Sequence, residues 1–282
     1  MHSFPRFAAC ILLALAGACR ADGLTDRAIQ AFHALDPTLV VTVKGDDELS
    51  IARKKGEPAV VYLDNLRKTC ATRPDECDAA TTLYAQRMAA SFLGDTPSAK
   101  FSTDKVYPVL RRAGYAAQAM HIVKDPAKGL VMLPLGPDIE QLFIIDSENA
   151  IRYVSLDEPR QAGLTTDALL AAGSANAARL ATIKPTPLQG RDGLFALIFG
   201  DSLGSARMFD AALWDRIEAD AGGPVAVAVP TRDWILFTRL DAPGHVAALH
   251  ELAGRIAKGE AYGVSGAVLR RDGRGWVPVA EH

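Results

Sequence analysis

RDGLFALIFGDSLGSARMFDAALWDRIEADAGGPVAVAVPTRDWILFTRL, residues 191–240, carries strand, turn, helix, strand, tight turn and strand in that order. The apolar runs at 193–199, 224–229 and 233–239 have strand length and are rich in Val, Ile, Leu and Phe. Between the first two, residues 208–220 repeat apolar positions at helical spacing. Thr231-Arg232-Asp233 leaves room only for a tight connection, so the last two strands must run antiparallel.

The same pairing of strands between helices extends in both directions. Downstream, Pro243 opens a helix at its first position and that helix runs to about Ala257. Val264–Arg270 and Trp276–Val279 then form a hairpin around Asp272-Gly273. Upstream, strands are expected at Val106–Arg111, Leu130–Leu135, Leu142–Asp146 and Ile151–Ser155, with Ala113–Val123 helical and Ser147-Glu148-Asn149 as a hairpin tip. A helix starts at Thr165-Thr166-Asp167 and runs to about Ile183. Nearer the N-terminus, a helix at Thr25–Leu35 presents Ile29, Phe32 and Leu35 on one side. Strands follow at Leu39–Val43, Leu49–Ala52 and Ala59–Leu63, then a helix at Asp75–Phe92. The fold class expected is α+β, with mixed, largely antiparallel sheets and packed helices. A small N-terminal β-meander and helix region over 22–97 precedes a larger α+β region over 98–282, with Gly94-Asp95-Thr96-Pro97-Ser98 as the linker.

Composition narrows the function classes. At 282 residues and 49% hydrophobic content the chain can bury a substantial core. The formal charge of -2 and pI near 6.3 provide no basic excess for a run of phosphates, which argues against nucleic acid. Arg53-Lys54-Lys55 reads as solvated surface. The first 21 residues, MHSFPRFAACILLALAGACRA, have Arg6 before a short apolar run and small residues before Cys19, the pattern of a secretory signal. Ala16-Gly17-Ala18-Cys19 resembles a lipobox, with Ala16 where Leu is usual. Cleavage after residue 18 would leave Cys19 as a lipidated N-terminus; cleavage near Ala18 or Ala21 without lipidation is the alternative, and both stay open. No later segment reaches the ~20 apolar residues of a membrane span. The expected location is the bacterial periplasm or a lipid anchor in the envelope.

With Cys10 in the signal and Cys19 lipidated or removed, Cys70 and Cys77 form the remaining pair, and an exported protein should bond them. On one straight helix they would stand roughly 10 Å apart. Pro74 breaks the helix, with Thr72 capping the next one and Cys77 in its first turn.

Catalytic signals are poor. Gly200-Asp201-Ser202-Leu203 matches the opening of GDSL hydrolases, but the Ser lies late in the chain, and Asp241-Ala242-Pro243-Gly244-His245 is one residue longer than the expected Asp-x-x-His. The simpler reading makes Gly200-Asp201 a turn and Ser202 or Ser205 a helix cap. His245 and His250 are five apart and face different ways on a helix, while His33 and His121 stand alone, so no metal site is expected. Asp146, Glu148 and Asp157 read as acidic hairpin-tip residues. No phosphate-cradling glycine loop or cofactor motif is found, so no cofactor is expected. The binding candidates are Arg111 and Arg232, with Asp233 beside the latter, because a guanidinium at a strand corner can clamp a carboxylate or phosphate.

Val106-Tyr107-Pro108-Val109-Leu110-Arg111, LFIIDSENAIRYVS, Leu164-Thr165 with Asn176-Ala177-Ala178-Arg179-Leu180, PVAVAVPTRDWILF and the Leu269–Val279 hairpin with Trp276 and Pro278 occur in an order and spacing that resemble the YtpQ-like family of bacterial proteins. The resemblance covers roughly residues 36–280 and implies no biochemical activity, since the family has none assigned. The signal and the cysteine pair depart from its better-known, cytoplasmic-looking relatives. The expected function is therefore a non-catalytic envelope module that binds an unknown protein or small ligand. A secreted GDSL-like esterase using Ser202 with Asp241 and His245, and an immunity or inhibitor protein, are the alternatives.

Overall fold

The computed structural model of the chain describes residues 22–45, 47–53, 59–93, 101–118, 129–146, 151–199, 201, 203–273 and 275–279. The chain divides into two compact units, Met1–Ala89 and Ala90–His282. The expected linker at 94–98 lies outside the described residues, as do Cys10, Cys19, His121, Glu148, Gly200 and Ser202.

In the first unit, α1 (Asp22–Leu35) buries Leu24, Ala28 and Phe32, a stripe spaced by four residues, and leaves Leu35 in solvent, contrary to its expected inward face. Strands β1 (Val40–Gly45), β2 (Glu48–Ala52) and β3 (Ala59–Tyr62) form an antiparallel meander. Leu49, Ile51 and Val61 alternate onto its buried face. Helix α2 (Asp64–Thr72) leads through a 3-10 turn, Pro74–Glu76, into α3 (Cys77–Leu93). The Pro74 corner brings the Cys70 and Cys77 Cα atoms to 4.6 Å, and the two sulfurs are bonded. Thr72 does not cap the following turn: its hydroxyl donates back to the Lys68 and Thr69 carbonyls, because the residue still sits in the last turn of α2. The Tyr84 hydroxyl donates to the Tyr62 carbonyl and its ring meets Phe32 edge-on, so α3 ties β3 to α1.

The second unit holds two antiparallel sheets. The smaller has β4 (Val106–Arg112) and β6 (Ile139–Asp146) as its centre, with β5 (Met132–Pro134) and β7 (Ile151–Tyr153) on the far side of β6. Helix α4 (Asp157–Gln161) and α5 (Thr166–Ala177) follow. The Thr165 hydroxyl caps α5 as the sequence suggests, but the helix stops at Ala177 rather than near Ile183. Gly173 on α5 lies so close to β4 that a Cβ would stand 2.9 Å from Pro108 Cδ, and the buried Asn176 amide donates to the Thr103 and Val106 carbonyls.

The larger sheet has the order β13-β12-β10-β11-β9-β8. Its members are β8 (Thr186–Pro187), β9 (Phe195–Ile198), β10 (Val225–Thr231), β11 (Trp234–Arg239), β12 (Val268–Asp272) and β13 (Gly275–Pro278). Helix α6 (Ala211–Ala221) precedes β10 and α7 (Pro243–Gly259) follows β11. Every residue of β10 is buried, which explains the unbroken apolar run at 225–230 ahead of Thr231. Val225, Val227 and Val229 pack with Trp214, Ile217 and Trp276, while Ala226 and Ala228 face Leu249 and Ala253 of α7. The small side chains on that face let the helix approach closely. The fold is thus α+β, and every strand pairing among the described residues is antiparallel.

Candidate functional site

The turn Arg232-Asp233 joins Thr231 directly to its partner Trp234, the tight connection read from the sequence. Its underside rests on Phe199, Gly204 and Ser205. The Asp233 carbonyl accepts from Phe199 N–H and the Arg232 carbonyl accepts from Ser205 N–H, both at 2.9 Å. Gly204 is required there, since a Cβ would stand 2.7 Å from the Arg232 carbonyl oxygen. Ser205 is fully buried and does not cap a helix. Its hydroxyl instead accepts from Leu110 N–H of β4 at 3.1 Å, and the cap of α6 is Asp210, which accepts from Leu213 N–H. Ser205 therefore bridges the β10–β11 turn of the larger sheet to β4 of the smaller one, next to Arg111.

Arg111 is half-buried on the face of the smaller sheet that carries Val109, Leu142 and Ile144. Its Nε donates to the Tyr153 hydroxyl at 2.8 Å and one terminal nitrogen donates to the Leu110 carbonyl. Its guanidinium carbon lies 5.9 Å from the Tyr115 ring centroid and 5.6 Å from that of Tyr153, and the two rings are 5.3 Å apart. Burial, then Tyr153, pushes the Tyr115 phenol well above the usual tyrosine value, so it stays a neutral hydroxyl. No carboxylate among the described residues is within ion-pair distance of Arg111.

Arg232 is differently placed. Its Nε meets Asp233 Oδ2 at 3.3 Å, and its guanidinium carbon lies 3.5 Å from the centroid of the Tyr262 ring. Tyr262 has φ 60°, unique for a non-glycine among the described residues, and its carbonyl accepts from Arg232 N–H. Gly263 allows this tight path: a Cβ there would stand 2.0 Å from the Ala257 carbonyl oxygen. Asp233 Oδ1 is buried without a hydrogen-bond partner. Burial pushes the Asp233 carboxyl above its ordinary value; the Arg232 and Arg111 charges oppose the rise and Asp201 adds to it. Asp201 itself is gripped by both terminal nitrogens of Arg207, a buried cation lying over the Phe199 ring. Asp146 is raised as well, through burial with Asp201 adding and Lys105 opposing.

The three candidate residues named from the sequence thus share one region, through the Ser205 bridge and the reach of the Arg111 charge to Asp233. Tyr115, Tyr153, Tyr262 and Asp201 complete it. Tyr153 lay within the family-like stretch, but its approach to Arg111 follows from strand register across β6, which no local pattern specifies.

Of the residues named for the esterase alternative, Asp241 and His245 are described, and they do not pair. Both carboxylate oxygens of Asp241 accept from Arg239, and burial is negligible there. The exposed His245 has its imidazole against Gly193, where a Cβ would stand 2.4 Å from the ring, and no hydrogen bond joins it to Asp241. Asp157 accepts from the Ser155 hydroxyl and the Gln161 amide, a local turn role. Among the described residues no cluster of three His, Cys, Asp or Glu side chains is arranged to hold a metal, and no helix is long and apolar enough to cross a membrane.

The region defines a two-sheet α+β unit with a tyrosine-flanked arginine beside a stacked arginine–aspartate turn. No protein-family model, curated protein or solved structure matches the chain.

Proposed function

We propose that the protein is an exported, non-catalytic binding module, a secreted relative of the YtpQ-like family, that takes an oxyanion of a small ligand or a partner protein on Arg111. The observation that carries this reading is the state of Arg111. It is a half-buried guanidinium, oriented by Tyr153, flanked by two aromatic rings and paired with no carboxylate among the described residues. A cation held in that way has its side chain already ordered, so a carboxylate or phosphate group meets a preformed donor. The Arg111 charge also acts on Asp233, the neighbour of Arg232. The Cys70–Cys77 bond and the signal-like first 21 residues support export, either free in the periplasm or anchored through Cys19. Asp241, neutralised by Arg239, supports a role without a Ser-His-Asp relay.

The test is titration calorimetry of the purified mature protein with sulfate and with succinate, in low salt. Saturable binding of either, weakened at least about tenfold in Arg111→Ala, agrees with loss of a charge-assisted contact. Binding of neither anion, or binding indifferent to Arg111, overturns the reading.

A further inference from the structure

Arg111 and Arg232 are not equivalent. Arg111 has no acidic partner among the described residues, whereas Arg232 already has one, Asp233, contributed by the next residue of the same turn. The Asp233 carboxylate is poorly held for a counter-ion. Only Oδ2 reaches Arg232, at 3.3 Å through a single nitrogen, and Oδ1 is buried with no hydrogen-bond partner. The turn cannot swing to improve this. It is pinned by Phe199 and Ser205 N–H from below, by Thr231 Oγ1 accepting from Asp233 N–H, and by the Tyr262 ring on the guanidinium.

We propose that Asp233 is a resident, displaceable counter-ion of Arg232, and that the oxyanion bound at Arg111 and Arg232 enters together with one proton taken up by Asp233. This rests on the oxyanion reading above and assigns its regulation. The charged groups around Asp233 are Arg232 on its own turn, Arg111 from β4 and Asp201 from the segment after β9, with Arg207 holding Asp201. An incoming anion claims the two arginines and adds a negative charge beside Asp233 and Asp201. Like charges this close do not all remain ionised at low cost, and the aspartate with the unpaired oxygen is the one that protonates. Burial already favours its neutral form. The protonated carboxyl can also donate a hydrogen bond to the ligand oxygen that replaces it on Arg232. Binding and protonation are then linked, and affinity rises as pH falls through the Asp233 titration.

Sulfate is the probe, because its charge is constant through this range. Calorimetric titrations at about pH 5, above the ordinary aspartate value of about 3.9, are run in two buffers of different ionisation enthalpy. The expected result is a buffer-dependent heat equivalent to uptake of up to about one proton per site, with affinity falling up to about tenfold per pH unit on the alkaline side. In Asp233→Asn the uptake vanishes and the pH dependence flattens, while Asp146→Asn, altering the other raised carboxyl, keeps both. Wild-type uptake needs no variant, and circular dichroism verifies that both variants are folded. Sulfate binding that depends on Arg111 but shows no proton uptake, or equal uptake in Asp233→Asn, overturns the coupling and leaves the oxyanion reading intact. Absence of sulfate binding overturns the coupling, and overturns the oxyanion reading as well where succinate also fails to bind; sulfate binding independent of Arg111 overturns both.

Discussion

Ser205→Ala tests the link between the two sheets of the second unit. The hydroxyl is fully buried and accepts from Leu110 N–H, a donor with no strand partner on that side. Alanine removes the acceptor and leaves Leu110 N–H, in a residue that is itself fully buried, without a partner. An unsatisfied buried donor costs about 1–3 kcal/mol. The unit has roughly 190 residues, a size for which each kcal/mol moves the midpoint by about 2–4 °C. A drop of about 4–8 °C is the central expectation. The protein offers a convenient probe, because its three tryptophans, Trp214, Trp234 and Trp276, all belong to this unit. Thermal melts followed by tryptophan fluorescence therefore report on the surroundings of side chains in the second unit. A shift below about 1 °C in a variant with native fluorescence would refute the reasoning, since Leu110 N–H would then have found another acceptor.

The first unit should respond to loss of its disulfide. Replacing Cys70 and Cys77 by Ala removes a short closed loop worth about 2.5 kcal/mol in the chain-entropy model. Urea denaturation followed by far-UV circular dichroism should start at lower urea than in the wild type; an unchanged curve contradicts the estimate. A third expectation concerns acid. Burial works to raise the Glu158 carboxyl, but Arg152, which bonds both its oxygens, and Ser155 N–H hold it below its ordinary value of 4.5. A depressed folded value means that its contribution is present above the unfolded value and is lost as pH falls through the folded one. Glu158→Gln should therefore cost about 2 kcal/mol near neutrality and lessen the fall in stability on acidification below about pH 4.5. Urea midpoints of both proteins across that range measure it, and parallel pH profiles would count against the ion pair.

Much of the architecture could be read along the chain, because its signals are local. The Asp272-Gly273 turn, the Pro243 start of α7, the Pro74 corner and the alternation in β2 act over a few residues, and the structure places elements close to where they point. Helix ends were less legible: α5 stops at Ala177 and α6 takes Asp210 as its cap, since competing hydroxyl and carboxylate caps are chosen by what else needs them. Ser205 shows this directly. Its sequence neighbourhood suits a cap, yet burial against β4 gives its oxygen to Leu110, a residue 95 positions away.

The sequence by itself determined the α+β class, the cysteine pairing and the singling out of Arg111, Arg232 and Asp233 as residues of interest. Only the tertiary structure decided how they relate. Register across β6 brings Tyr153 to Arg111, the left-handed Tyr262 covers Arg232, and burial strips Asp233 Oδ1 of partners. The reason is physical. Periodicity, turn chemistry and cysteine parity are properties of neighbouring residues, whereas charge pairing, desolvation and ring stacking depend on which distant segments the packed sheets bring side by side.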